Sequence, residues 1–249
     1  MNEATGERFV DGARLAWRRT GGRGPTILWL GGFASEMTGT KASALARWAA
    51  RAGRDFLRFD YFGHGQSEGE FVAGTISRWR ADALAMIDHL TEGPLILVGS
   101  SMGGWIACLA AVARPERVRS LALIAPAADF TEALMRPRLP PEAVSALERD
   151  GVWDGQQGAG PISRVLLEDG ARWSLLPGPA PIEAPVRIVQ GARDDAVPWR
   201  HALELAQALK SEDVVFTLIK DGDHRLNRPA DLERMVAMVE DAIRAGQGG

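Results

Sequence analysis

The chain of 249 residues is 46% hydrophobic and 24% charged, and its 29 Lys and Arg against 32 Asp and Glu give a net charge of −3. This balance is typical of a globular protein and excludes the basic patterns of nucleic-acid binders and polybasic membrane anchors. No run approaches the roughly 20 uncharged apolar residues of a membrane-spanning helix.

The single cysteine, Cys108, excludes an internal disulfide and a cysteine-built zinc site. The chain begins without the basic start and apolar core of a secretory signal. These features predict a cytoplasmic protein with no nucleic-acid partner. The histidines lack metal-ligand spacing, so we expect no metal, and a homodimer stays open.

Short apolar runs alternate with amphipathic stretches along the chain. Residues 8–19, with Asp11-Gly12 in the middle, predict a hairpin at a sheet edge. We predict strands at residues 27–30, 56–59, 95–98, 121–124, 186–189 and 214–219, and helices at 41–52, 76–90, 105–113, 199–209 and 229–245. Several strand runs are apolar throughout, which is typical of parallel strands covered on both faces. The alternation predicts an α/β fold with a mostly parallel central sheet and helices on both faces.

Residues 127–184 interrupt this alternation. They contain no clear strand, are rich in proline, and carry scattered apolar residues such as Leu134, Trp153 and Trp173. A structureless loop of that length is uncommon in a compact domain. We therefore predict a single domain over 1–249, with a core of 1–126 and 185–249 and an inserted lid of short helices at 127–184. The alternative is a surface segment that does not form a lid.

The segment Gly99-Ser100-Ser101-Met102-Gly103 matches G-x-S-x-G, with Ser101 at its centre. The motif can occur by chance, but here it lies between a predicted strand and a predicted helix, the setting that it requires. The central serine occupies a strained turn where the chain passes close to itself, so the residues two before and two after must be small. We predict Ser101 as a nucleophile. Ser100 is a competing hydroxyl without the symmetric glycines, and a turn used only for packing is the alternative.

A serine hydroxyl needs a general base, and the chain has four histidines. His89 and His201 belong to predicted helices and are interpreted as surface or packing residues. His64 follows a strand. That position is equally consistent with a role in the site and with a packing role. His224 follows the last predicted strand, at the sheet edge where doubly wound folds bind ligands. We predict His224 as the base.

Two further groups complete such a site. An orienting carboxylate fixes the histidine tautomer. The residues alone do not decide between Asp194 and Asp195 for this role. For each of them, the alternative is a charge exposed to solvent in a loop. Backbone N–H groups stabilise an oxyanion: we predict those of Met102, after the nucleophile, and of Phe33, in the loop after the first central strand. Cys108 is expected to pack as a small apolar residue, with a reactive thiol as the alternative.

At these residues the chain resembles the α/β-hydrolase superfamily. The matching stretches are residues 31–33, 60–67, 99–104, 191–198 and 222–224. The superfamily pattern G-x-x-D-x-x-V-P selects Asp194, and the order Ser101, Asp194, His224 is that of α/β-hydrolases rather than of the trypsin or subtilisin types. The resemblance implies hydrolysis of S-acyl or O-acyl bonds without a cofactor.

More narrowly, the chain is similar to a subfamily of palmitoyl-protein thioesterases and mycophenolic acid acyl-glucuronide esterases. This likeness includes Met37-Thr38-Gly39-Thr40-Lys41-Ala42, Gly103-Gly104-Trp105 and Gly151-Val152-Trp153. The turn Gly63-His64-Gly65 is common across the superfamily and does not support the narrower likeness. The likeness is to a mitochondrial enzyme, but no mitochondrial presequence is visible here. We therefore do not extend the mitochondrial location to this chain.

We therefore predict a serine esterase or thioesterase that acts through an acyl-enzyme on a small-molecule or acyl-protein substrate. Carbon–carbon bond hydrolases and cofactor-free perhydrolases use the same triad and are the enzymatic alternative. A non-catalytic receptor on this fold is the alternative from another class of protein.

Overall fold

The fold is built on one large sheet, seen in a computed structural model that describes residues 3–154 and 160–247. The strands, in chain order, are β1 Ala4–Val10, β2 Ala13–Thr20, β3 Arg23–Leu30, β4 Arg54–Phe59, β5 Leu95–Ser100, β6 Val118–Ile124, β7 Val152–Trp153, β8 Ile162–Ser163, β9 Val186–Gly191 and β10 Val214–Ile219. The helices are α1 Thr40–Ala52, α2 Ile76–Leu90, α3 Met102–Ala113, α4 Pro141–Asp150, α5 Arg164–Gly170, α6 Trp199–Ala208 and α7 Pro229–Ala245. Shorter helical turns lie at Phe71–Ala73, Thr131–Met135, Arg136–Arg138 and Ala171–Trp173.

The main sheet has eight strands in the order β1-β2-β4-β3-β5-β6-β9-β10. Strands β3 to β6, β9 and β10 pair in parallel, whereas β1 pairs antiparallel with β2, and β2 with β4. Asp11 and Gly12 both have positive φ, 45° and 79°, as a tight hairpin turn requires. The predicted edge hairpin and the predicted α/β fold are confirmed.

The central strands are covered on both faces, which explains their apolar runs. In β3, Leu28 and Leu30 pack in a layer with α2 and α3. The alternating residues Ile27 and Trp29 pack in the opposite layer with α1 and α7. Because successive side chains of a strand point to opposite faces, both sets of residues must be apolar.

Helix α3 begins at Met102, three residues earlier than the predicted start at residue 105. Gly103 and Gly104 are weak helix formers, so the sequence pattern placed them in a turn. In the structure they occupy the first helical turn, where no larger residue fits. A Cβ added at Gly103 would lie 2.0 Å from the Leu30 carbonyl oxygen, and one at Gly104 would lie 2.9 Å from Pro126 Cβ.

The segment of residues 127–184 contains α4 and α5, the short helices expected of it. It also contains strands β7 and β8, which pair antiparallel over two residues each, so the expectation of no strand in this segment was wrong. The pairing is too short to leave a period-2 pattern in the sequence. Residues 155–159 of the predicted lid lie outside the described residues, and the division into core and lid stays a prediction.

Candidate active site

The turn after β5 holds Ser101 at φ 55° and ψ −120°, a conformation that residues with a side chain rarely adopt. The flanking glycines allow this turn. A Cβ added at Gly99 would lie 2.3 Å from the Gly103 carbonyl oxygen. Ser100 is buried, whereas Ser101 is partly exposed, so Ser101 is the serine of this turn that solvent and a ligand can reach.

The second half of the site is a histidine–carboxylate pair. His224 Nδ1 lies 2.8 Å from Asp194 Oδ2. A ring nitrogen that faces a carboxylate carries the proton, which leaves Nε2 of the neutral ring as the basic nitrogen. The neighbouring Asp195 is exposed. Of the two aspartates that the sequence left open, Asp194 is therefore the one that contacts the histidine.

The Asp194 carboxylate is fully buried and held by several donors. Its Oδ1 accepts hydrogen bonds from the backbone N–H groups of Ala196, at 3.0 Å, and Val197, at 2.7 Å. Its Oδ2 accepts a further bond from Gln190 Nε2 at 3.0 Å. Such bonds compensate the burial of a charged group and fix its orientation. Sequence reasoning missed Gln190, whose signal is a polar residue at the carboxyl end of a buried strand, just before the loop that carries Asp194.

The loops that carry these residues meet at the carboxyl edge of the sheet. Ser101 follows β5, and Asp194 and His224 follow β9 and β10, which run parallel to it. A Cβ added at Gly191 would lie 2.5 Å from the Gly222 carbonyl oxygen, so the last two loops are in contact. Parallel strands present their carboxyl ends at one edge, which is where such folds bind ligands.

A cavity of about 280 Å³ borders the end of β5, the loop after β10 and the loop after β3. Its lining includes Gly32, Ser100, Lys41 and Arg225. Ser100 is adjacent to Ser101 in the chain, and Arg225 is adjacent to the histidine. The serine turn, the histidine loop and the loop after β3 thus border one cavity.

The two predicted oxyanion donors belong to segments next to the serine. Met102 is the first residue of α3, where backbone N–H groups have no partner within the helix. A Cβ added at Gly32 would lie 3.4 Å from Ser101 Cβ, so the loop that carries Phe33 passes close to the serine. Across residues 3–154 and 160–247, neither the Phe33 nor the Met102 N–H donates to a protein acceptor. Both stay predictions for an oxyanion hole.

Aromatic side chains form an apolar wall that includes Phe33, in the loop after β3. The Phe33 ring lies 4.8 Å from Phe71 and 5.9 Å from both Trp79 and Phe130, measured between ring centroids. Trp105 packs edge-on against Phe130 at 5.6 Å. We call these five residues the aromatic wall.

His64 is buried behind the aromatic wall. Its ring lies 5.0 Å from Phe71 and 5.2 Å from Trp79, and its Nδ1 lies 3.1 Å from the Phe62 carbonyl oxygen. Burial lowers the pKa of His64 and so favours the neutral ring. These contacts favour the packing interpretation of this histidine.

The remaining candidates from the sequence have packing or surface positions. His201 is buried, with Nε2 2.7 Å from the Ala128 carbonyl oxygen, and His89 is exposed. Cys108 is buried, and burial raises the pKa of its thiol to about 12, so the thiolate is disfavoured. In the part of the chain that the structure describes, no group of three or more His, Cys, Asp or Glu side chains is placed to hold a metal ion.

The sheet, the strained serine turn and the acid–histidine pair define the class of the α/β-hydrolases. A family model described as serine aminopeptidase, S33, matches residues 25–151. The mitochondrial palmitoyl-protein thioesterase ABHD10 of Bos taurus is 38% identical over 234 residues, covering 92% of this chain and 76% of the relative, and that of Mus musculus is 38% identical with coverage of 92% and 78%.

Solved structures agree with these matches. Mouse α/β-hydrolase domain-containing protein 10 superposes with a TM-score of 0.89 at 36% identity, covering 97% of this chain and 98% of the mouse chain. A protein from Agrobacterium vitis S4 gives a TM-score of 0.92 at 40% identity, with coverage of 98% and 100%. The chain belongs to the α/β-hydrolase superfamily, in the family of the ABHD10 proteins. It is an enzyme of the hydrolase class.

Proposed function

We propose that the protein cleaves carboxylic ester or thioester bonds through an acyl-enzyme on Ser101. The observation that carries this proposal is the 2.8 Å contact between His224 Nδ1 and the buried Asp194 carboxylate. The strained serine turn and the family membership support it. A histidine oriented by a carboxylate can supply the base that a serine hydroxyl needs near neutral pH.

In the proposed mechanism, His224 Nε2 takes the proton of the Ser101 hydroxyl as its oxygen attacks the acyl carbon. Asp194 stabilises the imidazolium that forms. The Phe33 and Met102 N–H groups donate to the oxyanion of the tetrahedral intermediate. The imidazolium then protonates the leaving alcohol or thiol, and a water activated by the same nitrogen releases the carboxylic acid.

For the substrate, we propose an apolar acyl group esterified to a small molecule or held as a thioester on a protein. Phe33 and Phe71, the two partly exposed rings of the aromatic wall, support an apolar acyl group, since aromatic side chains stabilise apolar ligands by burying their surface. The relatives named palmitoyl-protein thioesterase support the thioester. An acyl-glucuronide ester is the small-molecule candidate.

Within the described ranges, no helix has the length and apolar character needed to cross a membrane. The ABHD10 relatives carry the word mitochondrial in their names. The cytoplasmic location predicted from the sequence stays a prediction.

The experiment that tests the function compares Ser101→Ala with Ser100→Ala. Turnover of p-nitrophenyl esters and acyl-CoA thioesters of increasing chain length is measured, together with labelling by a fluorophosphonate probe. We expect Ser101→Ala to lose about 10⁵- to 10⁶-fold in kcat and all labelling, and Ser100→Ala to retain both. Undiminished turnover in Ser101→Ala removes the proposed mechanism.

A further inference from the structure

The first turn of helix α1 carries a cation, Lys41, in an unfavourable position. The positive end of the helix dipole disfavours a cation there, and this turn contains no acidic residue. The side chain is also partly withdrawn from solvent, and burial lowers the pKa of its ammonium group. A lysine in such a place needs compensating partners from other parts of the chain.

Those partners belong to the acid–base half of the site. Lys41 Nζ donates a hydrogen bond of 2.6 Å to the carbonyl oxygen of Arg225, the residue after His224. The carboxylates of Asp223 and Asp194 favour the ammonium electrostatically, whereas the Arg225 charge opposes it. The lysine therefore contacts the histidine loop directly and lies in the field of the carboxylate that orients the histidine.

The loop before Lys41 is held from its other side. The Met37 N–H donates to Asp60 Oδ1 at 2.6 Å, and the Met37 carbonyl accepts from Arg58 Nη1 at 2.9 Å. The Ser43 hydroxyl donates to the Thr38 carbonyl at 2.8 Å. Because both ends of this turn are anchored, the lysine projects from a fixed base.

We propose that Lys41 is a positioning residue for the acid–base pair. By holding the Arg225 carbonyl, it fixes the histidine loop relative to the serine turn and to the loop that carries the Phe33 N–H. The 280 Å³ cavity, lined by Gly32, Lys41 and Arg225 among others, is the place where these loops meet. This inference rests on the proposed function, and it gives a physical role to the segment Met37 to Ala42 that the sequence analysis singled out.

The test compares Lys41→Met, which keeps an apolar stem but loses the donor, with Lys210→Met, a change at an exposed lysine outside the site. Three quantities are measured: the second-order rate of fluorophosphonate labelling, kcat and KM for a p-nitrophenyl ester, and the melting temperature. We expect Lys41→Met to lower kcat and the labelling rate by about 10- to 100-fold with KM unchanged, since small displacements of catalytic groups cost rates of this order. Lys210→Met should behave as wild type, and Lys41→Arg, which restores a donor, should recover most of the rate.

The possible results separate this inference from the proposed function. If wild type itself is not labelled, the proposed function fails. If wild type is labelled and Lys41→Met is labelled equally fast, the function stands and the role of Lys41 is refuted. A loss of rate that merely follows a loss of folded protein, or that appears as a rise in KM, also refutes it. Should Lys41→Met not fold, Lys41→Ala, which also lacks the donor, takes its place, with slow labelling at unchanged KM as the expected result.

Discussion

At the scale of single residues, Ser101 shows how the site is held in a strained conformation. A residue with positive φ outside glycine costs of order 1–3 kcal/mol. The surrounding backbone compensates this cost: the Ser101 N–H donates to the Ile124 carbonyl at 2.9 Å, and the Ser101 carbonyl accepts from the Ala127 N–H at 3.1 Å. The strain therefore persists in the native state and keeps the hydroxyl clear of the sheet.

The glycines of the serine turn should not tolerate a methyl group. In Gly103→Ala the new Cβ would lie 2.0 Å from the Leu30 carbonyl oxygen, so the backbone must move. We expect a loss of about 1–3 kcal/mol in the free energy of unfolding, together with slower probe labelling. Gly21→Ala, where nothing lies within 4 Å of the added Cβ, is the matched control. Equal stability of the two variants in urea titrations would show that the packing argument is wrong.

The two adjacent aspartates allow a sharp test of the orienting carboxylate. Asp194→Asn should lower kcat by about 10⁴-fold, as loss of the carboxylate permits the wrong histidine tautomer. Asp195→Asn changes an exposed side chain and should retain wild-type kcat. Both are measured by steady-state hydrolysis of a p-nitrophenyl ester. A similar loss in both variants would contradict the assignment.

At the scale of elements, two buried carboxylates hold the segment of residues 127–184: Asp129 joins two parts of the segment, and Asp169 joins it to the core. Asp129 accepts hydrogen bonds from the backbone N–H groups of Leu175 and Leu176, at 2.8 to 3.0 Å, and from the Ser174 hydroxyl at 2.8 Å. Asp169, in α5, accepts from both the N–H and the hydroxyl of Ser77 in α2. Backbone donors from a proline-rich stretch are thus satisfied without regular secondary structure.

Removing one of these anchors should weaken the whole segment. Asp129→Ala removes the shared acceptor of two partly buried backbone N–H groups, those of Leu175 and Leu176, which costs about 1–3 kcal/mol for each group that water does not reach. We expect a lower urea midpoint and faster limited proteolysis within the segment. Asp150→Ala removes a carboxylate whose partner Arg149 is also exposed, and such pairs contribute little. If Asp129→Ala is as stable as Asp150→Ala, Asp129 does not stabilise the segment as we expect.

At the scale of the whole molecule, buried titratable groups make stability depend on pH in opposite directions. Burial raises the pKa of Asp82 to about 6, so the folded state binds the extra proton and stability falls as pH rises towards that value. Burial lowers the pKa of His64 below its ordinary value of 6.5. For His64 the unfolded state binds the extra proton, so stability falls as pH falls below about 6.5.

A variant without the buried histidine isolates its contribution. In His64→Phe the ring remains aromatic but cannot be protonated. We subtract the unfolding free energy of the variant from that of wild type, and we expect this difference to decrease as the pH falls from about 7.5 to about 5.5. The reason is that only wild type must keep this ring deprotonated in order to fold. Urea titrations at several pH values measure it, with exposed His89→Gln as the control. A difference that stays constant with pH would contradict the expectation.

The sequence by itself determined the order of strands and helices, the serine turn and the position of the histidine after the last strand. Each of these depends on local signals: apolar runs, helical periodicity, and glycines placed two residues on either side of Ser101. The bounds of α2 and α7 were predicted to the residue because an amphipathic face and clear breakers mark both helices.

The tertiary structure decided what depends on residues far apart in the chain. The contact of Asp194 with His224, the support from Gln190 and the bond from Lys41 to Arg225 join side chains from separate loops. The need for glycine at position 103, in the first turn of α3, follows from the close passage of Leu30, more than 70 residues before it in the chain. A pattern along one chain reports which faces are buried, but not which buried groups meet, because that depends on how the strands are ordered in the sheet.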